Sequence, residues 1–302
     1  MTTEGPTKRT PSWRKWMLIL LPLAAVGLYF GTRSAPVEQE AAPTVNTVDA
    51  SDDGSGEPPL TRASSIAEVL ELASRSRDAM ATSLHDYTAR FVQQEQDSSG
   101  KLGEVYEYKI KIQTRMRNET LDAPKRIYLH FNLPESYAGR EVIWGKDLYN
   151  GKMMVHETTF PMNMTTIPLD PTGMIAMAGQ KYPIFEMGLV RLVEQLIERG
   201  ERDLDNPETK VTITRDHEFD GRICELIQVV HARPSGDEDD FSLAEIVYDP
   251  EQLLILSYRS FGWGGGDKPP LIESYQYLDL KTNIGLSKSD FDIANTEYGY
   301  PK

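Results

Sequence analysis

Cysteine is almost absent from this chain: among 302 residues only Cys224 carries a thiol. That excludes an internal disulfide framework and any cysteine-rich zinc or iron–sulfur site. Cations are outnumbered, with 32 Lys and Arg against 46 Asp and Glu, and the formal net charge is −14. Neutralising nucleic-acid phosphates needs the opposite balance, so no nucleic-acid partner is expected. No H-E-x-x-H, G-x-S-x-G or phosphate-loop pattern occurs, and neither a metal nor a cofactor is expected. What is present, 39% hydrophobic and 26% charged residues with 22 Gly and 19 Pro, suits a globular core.

Only one apolar run bears on a membrane. Trp16 to Phe30 follows Lys8, Arg9, Arg14 and Lys15 and precedes Arg33 and an acidic, Pro-rich stretch. The run is short for a spanning helix, which needs about 20 residues, but its flanks can complete the crossing. Residues 1–15 therefore read as a cytoplasmic basic flank and 16–31 as a signal anchor or a signal peptide. Thr32 and Ser34 offer only a poor small-x-small cleavage site, which favours retention. The flank carries four cations against Glu4, while residues 32–60 hold Arg33 against six carboxylates; the positive-inside rule then puts the N-terminus in the cytoplasm. The expected location is the inner membrane, single-pass, with the C-terminal domain in the periplasm, or the free periplasm after cleavage. Residues 32–60 lack bulky apolar side chains and read as a flexible acidic linker. Residues 61–302 remain as one exported domain, long enough to bury about 70% of its unfolded surface.

Ser65-x-x-Glu68 is a capping-box signature, and Ile66, Val69, Leu70, Ala73, Met80 and Leu84 follow at helical spacing, predicting a helix over about 64–84. The period then drops to two. From Tyr106 to Arg117 one face would carry Tyr106, Tyr108, Ile110, Ile112, Thr114 and Met116 and the other Glu107, Lys109, Lys111, Gln113 and Arg115, the pattern of a half-buried strand. Alternation recurs at Tyr87–Phe91 and Ile127–Leu133, and extended runs are expected at 208–217, 222–231, 241–248, 253–261 and 271–280. Asn150-Gly151 and Asp220-Gly221 read as hairpin turns, which makes their flanking strands antiparallel. A second helix is expected from Pro183 to Gly200, lined by Leu189, Val190, Val193, Leu196 and Ile197, with a short helical turn after Pro171. The expected class is α+β: a large antiparallel sheet of about ten strands, curled into a half-barrel and covered by two or three helices. Tyr108, Ile110 and Ile112 are expected to pack on the Val69, Leu70 and Ala73 face of the first helix, with Lys109, Lys111 and Gln113 facing water.

Tyr87-Thr88-Ala89-Arg90-Phe91, Pro124-x-x-Ile127-Tyr128-Leu129-x-Phe131, Gly139-Arg140-Glu141-Val142, Leu169-Asp170-Pro171, Pro183-Ile184-x-Glu186-x-Gly188-Leu189, Tyr275-x-Tyr277-x-Asp279-Leu280-Lys281-x-Asn283-x-Gly285-Leu286 and Asp290-Phe291-Asp292 follow one another along the chain. In this order they resemble a bacterial family of exported domains of unknown function. The resemblance covers about residues 84–300. In overall pattern that family is similar to the lipoprotein carrier LolA and its receptor LolB, which implies a half-barrel closed by helices around an acyl-chain cavity. It carries no catalytic residues with it.

The residues themselves offer little chemistry. His85-Asp86 and His156-Glu157 are histidine–carboxylate neighbours, but adjacent strand residues point to opposite faces. His217 and His231 would have to converge across the Asp220-Gly221 hairpin. Cys224 suits a small core residue. Gly262 to Gly266 is followed by Pro269 and Pro270 instead of a helix, so it reads as a loop. The run Asp237 to Asp240 lacks calcium-ligand spacing. Glu141, Asp147, Asp170, Glu186 and Asp279 are the carboxylates that the fold alone could bring together for catalysis. Methionine is more suggestive: Met153, Met154, Met162, Met164, Met174, Met177 and Met187 fall within one short stretch. Flexible thioethers suit a surface that repacks around variable apolar ligands, although ordinary core filling uses them too. The ligand-cavity expectation is Tyr108, Ile110, Ile112, Met162, Met164, Met174, Met177 and Phe185. The functional expectation is a membrane-tethered domain binding a lipid, a lipoprotein acyl chain or another apolar ligand, with a structural or protein-interaction module as the alternative and no enzyme activity.

Overall fold

The computed structural model describes residues 60–302 except 98, 115–124, 179, 237–239 and 265–268. The expected anchor and all of the linker but Leu60 therefore lie outside the described residues, as do Met116, Pro124 and most of the acidic run. Among the described residues no helix is long and apolar enough to cross a membrane.

Twelve strands form one antiparallel sheet. In chain order they are β1 (Thr61–Ser64), β2 (Asp86–Glu95), β3 (Tyr106–Gln113), β4 (Arg126–Leu133), β5 (Glu141–Gly145), β6 (Met153–His156), β7 (Thr166–Leu169), β8 (Thr209–Phe219), β9 (Arg222–His231), β10 (Leu243–Asp249), β11 (Leu254–Phe261) and β12 (Leu271–Thr282). The spatial order is β1-β8-β9-β10-β11-β12-β2-β3-β4-β5-β6-β7. Two meanders, β2 to β7 and β8 to β12, are thus zipped together where β12 pairs with β2. Short local turns make each meander. Asp220 and Gly221 both take positive φ, 50° and 71°, and join β8 to β9 at the Phe219–Arg222 pair, the two-residue geometry that right-handed strand twist favours. Asn150-Gly151 serves differently, inside a 3-10 turn over Tyr149–Gly151 within a longer connection.

Two α-helices lie on one face: α1 (Ile66–Ser83) and α2 (Leu189–Asp203). Ser65 caps α1, its hydroxyl accepting from the Glu68 amide at 3.3 Å. The Glu68 carboxylate does not close the box. It pairs with Arg62 and accepts from Ser64 Oγ at 2.6 Å, and those two bonds pull its pKa down to about 2. Pro183 opens a 3-10 turn at Ile184–Glu186, not the helix itself. Gly188 follows at φ 121°, a conformation side chains resist, and a Cβ there would lie 2.9 Å from Tyr87 Oη. That hydroxyl instead accepts the first amide of α2, from Leu189, at 3.0 Å. Gly200 does not end α2 either; it sits within the last turns because Leu70 of α1 comes within 2.8 Å of where its Cβ would be. The helix stop signal is overridden by a close helix–helix contact. After Pro171 the described residues make successive turns, one of them a single helical turn closed by Met177 N donating to Gly173 O at 2.9 Å, without a regular helix.

The main core fills the space between helices and sheet, with Tyr87, Ile110, Ile213 and Val193 at or near zero exposure. α1 packs on α2 and β11; at the Ile112 end of β3, Ile112 lies beside Gly188 in the segment leading into α2, and Thr114, just past the strand, donates to Leu84 O at the C-cap of α1 at 2.7 Å. A second cluster occupies the opposite face, where Phe291 and Tyr300 cover Tyr128, Ile143 and Leu148. This C-terminal strap corrects the expectation for two outer residues. Lys109 is exposed, but Lys111 is half-buried beside the stacked Tyr128 and Tyr298 rings and pairs with Asp290, and Gln113 is buried, donating to Leu286 O at 2.7 Å. Between cavity and strap β5 is buried on both faces, so it shows no alternation.

Candidate functional site

A cavity of about 320 Å³ opens between the inner face of the sheet and the segment that leads into α2. Seven neighbouring strands reach it. Phe91, Tyr106, Tyr108, Phe131, Tyr275 and Tyr277 form the aromatic wall, contributed by β2, β3, β4 and β12. Leu129, Val142, Met153, Val155 and Leu169 continue it on β4 to β7. The opposite side is made by turns over 171–188 and by Leu192 and Gln195 of α2. Lys125 ties this segment down, its Nζ donating to Phe185 O at 2.7 Å and to Met187 O at a short contact.

The rings of the wall pack in series. Tyr258 stacks on Tyr275, Tyr275 on Phe91, Phe91 on Tyr108, Tyr108 on Tyr106 and Tyr106 on Tyr137, with centroids 6.1–6.5 Å apart. Strand alternation places one ring per inward position, and neighbouring strands bring these positions side by side. Arg140 finishes the row over the Tyr137 ring at 4.1 Å and pairs with Glu157 at 2.8 Å.

One end of the cavity is charged. Glu273 is 2% exposed and takes two cations, Lys181 at 2.9 Å and Arg199 at 2.8 Å; Arg199 also donates to Tyr258 Oη at 2.6 Å. Burial pushes the Glu273 carboxyl up, but Arg199 and Lys181 outweigh it and the net shift is downward. The Tyr275 hydroxyl lies 2.5 Å from Glu95 Oε1 and 3.1 Å from Glu273 Oε2. Burial, then the two carboxylates, raise that phenol far above its ordinary range, so it stays a donor. Glu95 itself is raised, chiefly by burial, with the Tyr275 bond pulling the other way.

Of the residues expected to line a ligand cavity, Tyr108 does so. Ile110 and Ile112 are buried in the core beside it. Phe185 is half-buried against Trp144, centroids 5.8 Å apart. Met162, Met164 and Met174 are 56%, 69% and 89% exposed, and Met177 is half-buried outside the lining; Met153 and Met187 are the two methionines at the cavity. His217 and His231 do not converge: in register His217 faces Cys224 and His231 faces Thr209, at opposite ends of the hairpin. The five suspected carboxylates are also separate, with Glu141 held by Tyr128, Asp147 by Arg126, Asp170 in its own Thr172 turn, Glu186 by Arg191 and Asp279 by Arg90. Cys224 is buried, its thiol pushed up to about 11 by burial. Among the described residues no group of three metal-ligating side chains assembles. The charged end was missed, yet its signal was there. Two more steps of the Tyr87, Ala89, Phe91 alternation reach Gln93 and Glu95, and the inward face of β12 carries Glu273 before Tyr275 and Tyr277.

A family model described as "Protein of unknown function (DUF1571)" matches residues 84–300. The chain belongs to this family. The matched span is the one over which the sequence segments run, so the family comprises every strand from β2 onward, both walls of the cavity and the C-terminal strap; α1 precedes it. No curated protein matches the sequence. Among solved structures the family member is similar to MucB, at 14% identity and TM-score 0.42 over 78% of this chain and 66% of that one. It is also similar to a DUF1329 family protein from Desulfovibrio piger, at 14% identity and TM-score 0.32 over 75% of this chain and 97% of that one. A domain assigned to outer membrane lipoprotein sorting, from Vibrio parahaemolyticus, matches at 10% identity and TM-score 0.33 over 75% and 97%.

Proposed function

We propose that the exported domain is an envelope-exposed binding domain, tethered to the inner membrane through residues 16–31, that holds the apolar part of a lipid, an acyl chain or another amphiphile in the cavity between sheet and α2. The observation that carries this reading is the cavity itself. Protein interiors close-pack, leaving few voids larger than a water molecule, and an apolar void of about 150 Å³ already takes benzene. A space of about 320 Å³ walled by stacked rings is at the low end of the roughly 300–1,000 Å³ of ligand sites. Seven neighbouring strands lining one cavity support the half-barrel form. A linker of 29 residues has a root-mean-square span of roughly 30 Å, which suits a domain that receives ligand close to its own membrane. Glu273, Lys181 and Arg199 at the charged end are committed to one another, and this supports binding over catalysis.

The test is saturable uptake of the uncharged fluorophore N-phenyl-1-naphthylamine, compared between the native chain and Val155→Phe, which fills the cavity from β6. The reading expects a fluorescence rise in the native chain, competition by amphiphiles and a loss of at least tenfold in affinity in the variant at unchanged fold. No saturable signal, or equal binding by both, would overturn it. A second reading, a protein-interaction module, is favoured by Phe160, Met162 and Met164 on the β6–β7 loop and by Met174 and Ile175 after β7, all more than half exposed. A photo-crosslinker at Met162 should then trap one defined envelope protein that a crosslinker at Lys109 does not.

A further inference from the structure

We propose that the cavity selects among amphiphiles by a headgroup subsite at its charged end, in which the Gln93 amide and the Glu95 carboxylate take an uncharged, hydrogen-bond-donating headgroup, a hydroxyl or an amide, and reject an anionic one. This rests on the apolar-ligand reading above and adds to it the chemistry of the other half of the ligand.

Gln93 and Glu95 occupy the next two inward positions of β2 after Phe91, and both line the cavity. In register Gln93 lies between Tyr106 of β3 and Tyr275 of β12, at the edge of the aromatic wall. The residue is only 9% exposed and lines the cavity, and no hydrogen bond among the described residues reaches its amide. The partner of that amide is therefore whatever fills the cavity, water or a polar group of the ligand, and a headgroup that displaces the water has to replace its hydrogen bonds. Glu95 beside it accepts from Tyr275, leaving part of its acceptor capacity free. The cation next to it, Lys181, is spent on Glu273, and so is Arg199.

These two groups set the ligand's polarity. A hydroxyl or amide can donate to Glu95 and accept from Gln93 Nε2 in one pose. A carboxylate or phosphate would meet Glu95 with no free cation to balance it, and like charges at short range in a low-dielectric site repel strongly. Burial raises the Glu95 carboxyl, and the Tyr275 bond and the nearby Lys181 charge offset that only in part.

The experiment compares two probes with one twelve-carbon chain, the glycerol monoester of dodecanoic acid and dodecanoate, by calorimetry at pH 8, where the free acid is ionised. The native chain should bind the ester about tenfold or more tightly than the anion. Gln93→Leu should weaken the ester by roughly three- to tenfold, the size of one lost hydrogen bond, and leave dodecanoate unchanged, while Glu95→Gln should strengthen dodecanoate. Melting temperatures report that both variants fold. Equal affinities in the native chain, a preference for dodecanoate, or an ester preference that survives both substitutions would overturn the headgroup subsite and leave the apolar-ligand reading standing. Failure of both probes to bind while the naphthylamine does would also overturn it, and failure of all three would remove the reading beneath it.

Discussion

Replacing Ile110 with Ala should destabilise the domain far more than any change at Lys109, its neighbour in β3. Ile110 is 1% exposed within the main core, and Lys109 is exposed on the outer face. Truncating a buried Ile to Ala removes transfer energy and leaves a void, together about 2–5 kcal/mol. For a domain of this size each kcal/mol moves the melting temperature by about 2–4 °C, so a loss near 3 kcal/mol predicts a drop of roughly 6–12 °C by differential scanning calorimetry. Ile110→Asp adds a buried, unpaired carboxylate costing several kcal/mol more. That total is comparable with the whole stability of about 5–15 kcal/mol and predicts loss of the folded state. Lys109→Asp should stay within about 0.5 kcal/mol. Its cross-strand neighbours are Arg90 and His130, and like charges directly opposite are unfavourable, so a carboxylate there is tolerated. Equal melting temperatures for Ile110→Ala and Lys109→Asp would refute the assignment of the inward face, and the cavity wall with it.

Glu273→Leu should cost about 3–5 kcal/mol in chemical denaturation, because it leaves Lys181 and Arg199 without their shared carboxylate in a buried site; a change below 1 kcal/mol would show that water already compensates them. Gly200→Val should destabilise by about 1–3 kcal/mol through overpacking against Leu70, whereas Gly221→Ala, with nothing near its Cβ, should cost only the strain of its positive φ. His231 is 7% exposed, with Nε2 3.3 Å from Asp203 and Nδ1 3.5 Å from Asp240, and the adjacent Asp203 carboxylate raises its pKa above the usual value near 6.5 against the opposing effect of burial. The stability it contributes is therefore fully present below that usual value and is lost as pH rises through the raised one. Thermal melts of the native chain and of Asp203→Asn across this window should diverge on the acid side, and parallel curves would contradict the pairing.

Two signals made strands legible in the sequence. β9 and β12 alternate along most of their length and were readable to within a residue or two, β3 was readable wherever its inner face alone decides the pattern, and β10 and β11, although buried almost throughout, stood out as long runs rich in Val, Ile, Leu and Tyr. β5 offered neither signal, since Glu141 to Gly145 is short and buried on both faces by cavity wall and strap. Nor was the burial of Lys111 and Gln113, because residues 286–300 reach them only through the tertiary fold. Gly200 misled for the same reason: its lack of a side chain answers to Leu70 on another helix. At the site the aromatic positions followed from alternation, but Met162, Met164 and Met174 drew the reading toward exposed loops, where composition alone cannot separate a ligand wall from a surface. The polar end needed only the continuation of period two through Gln93 and Glu95, with Glu273 on the facing strand.

Native mass spectrometry of the chain extracted from its own cells, followed by solvent extraction of the same sample, shows whether the cavity holds an amphiphile. The expected result is an added mass released as a single class of lipid-like molecule with an uncharged, hydrogen-bonding headgroup, and its absence from Val155→Phe. A native chain that carries no bound species under conditions that keep the fold intact would contradict it.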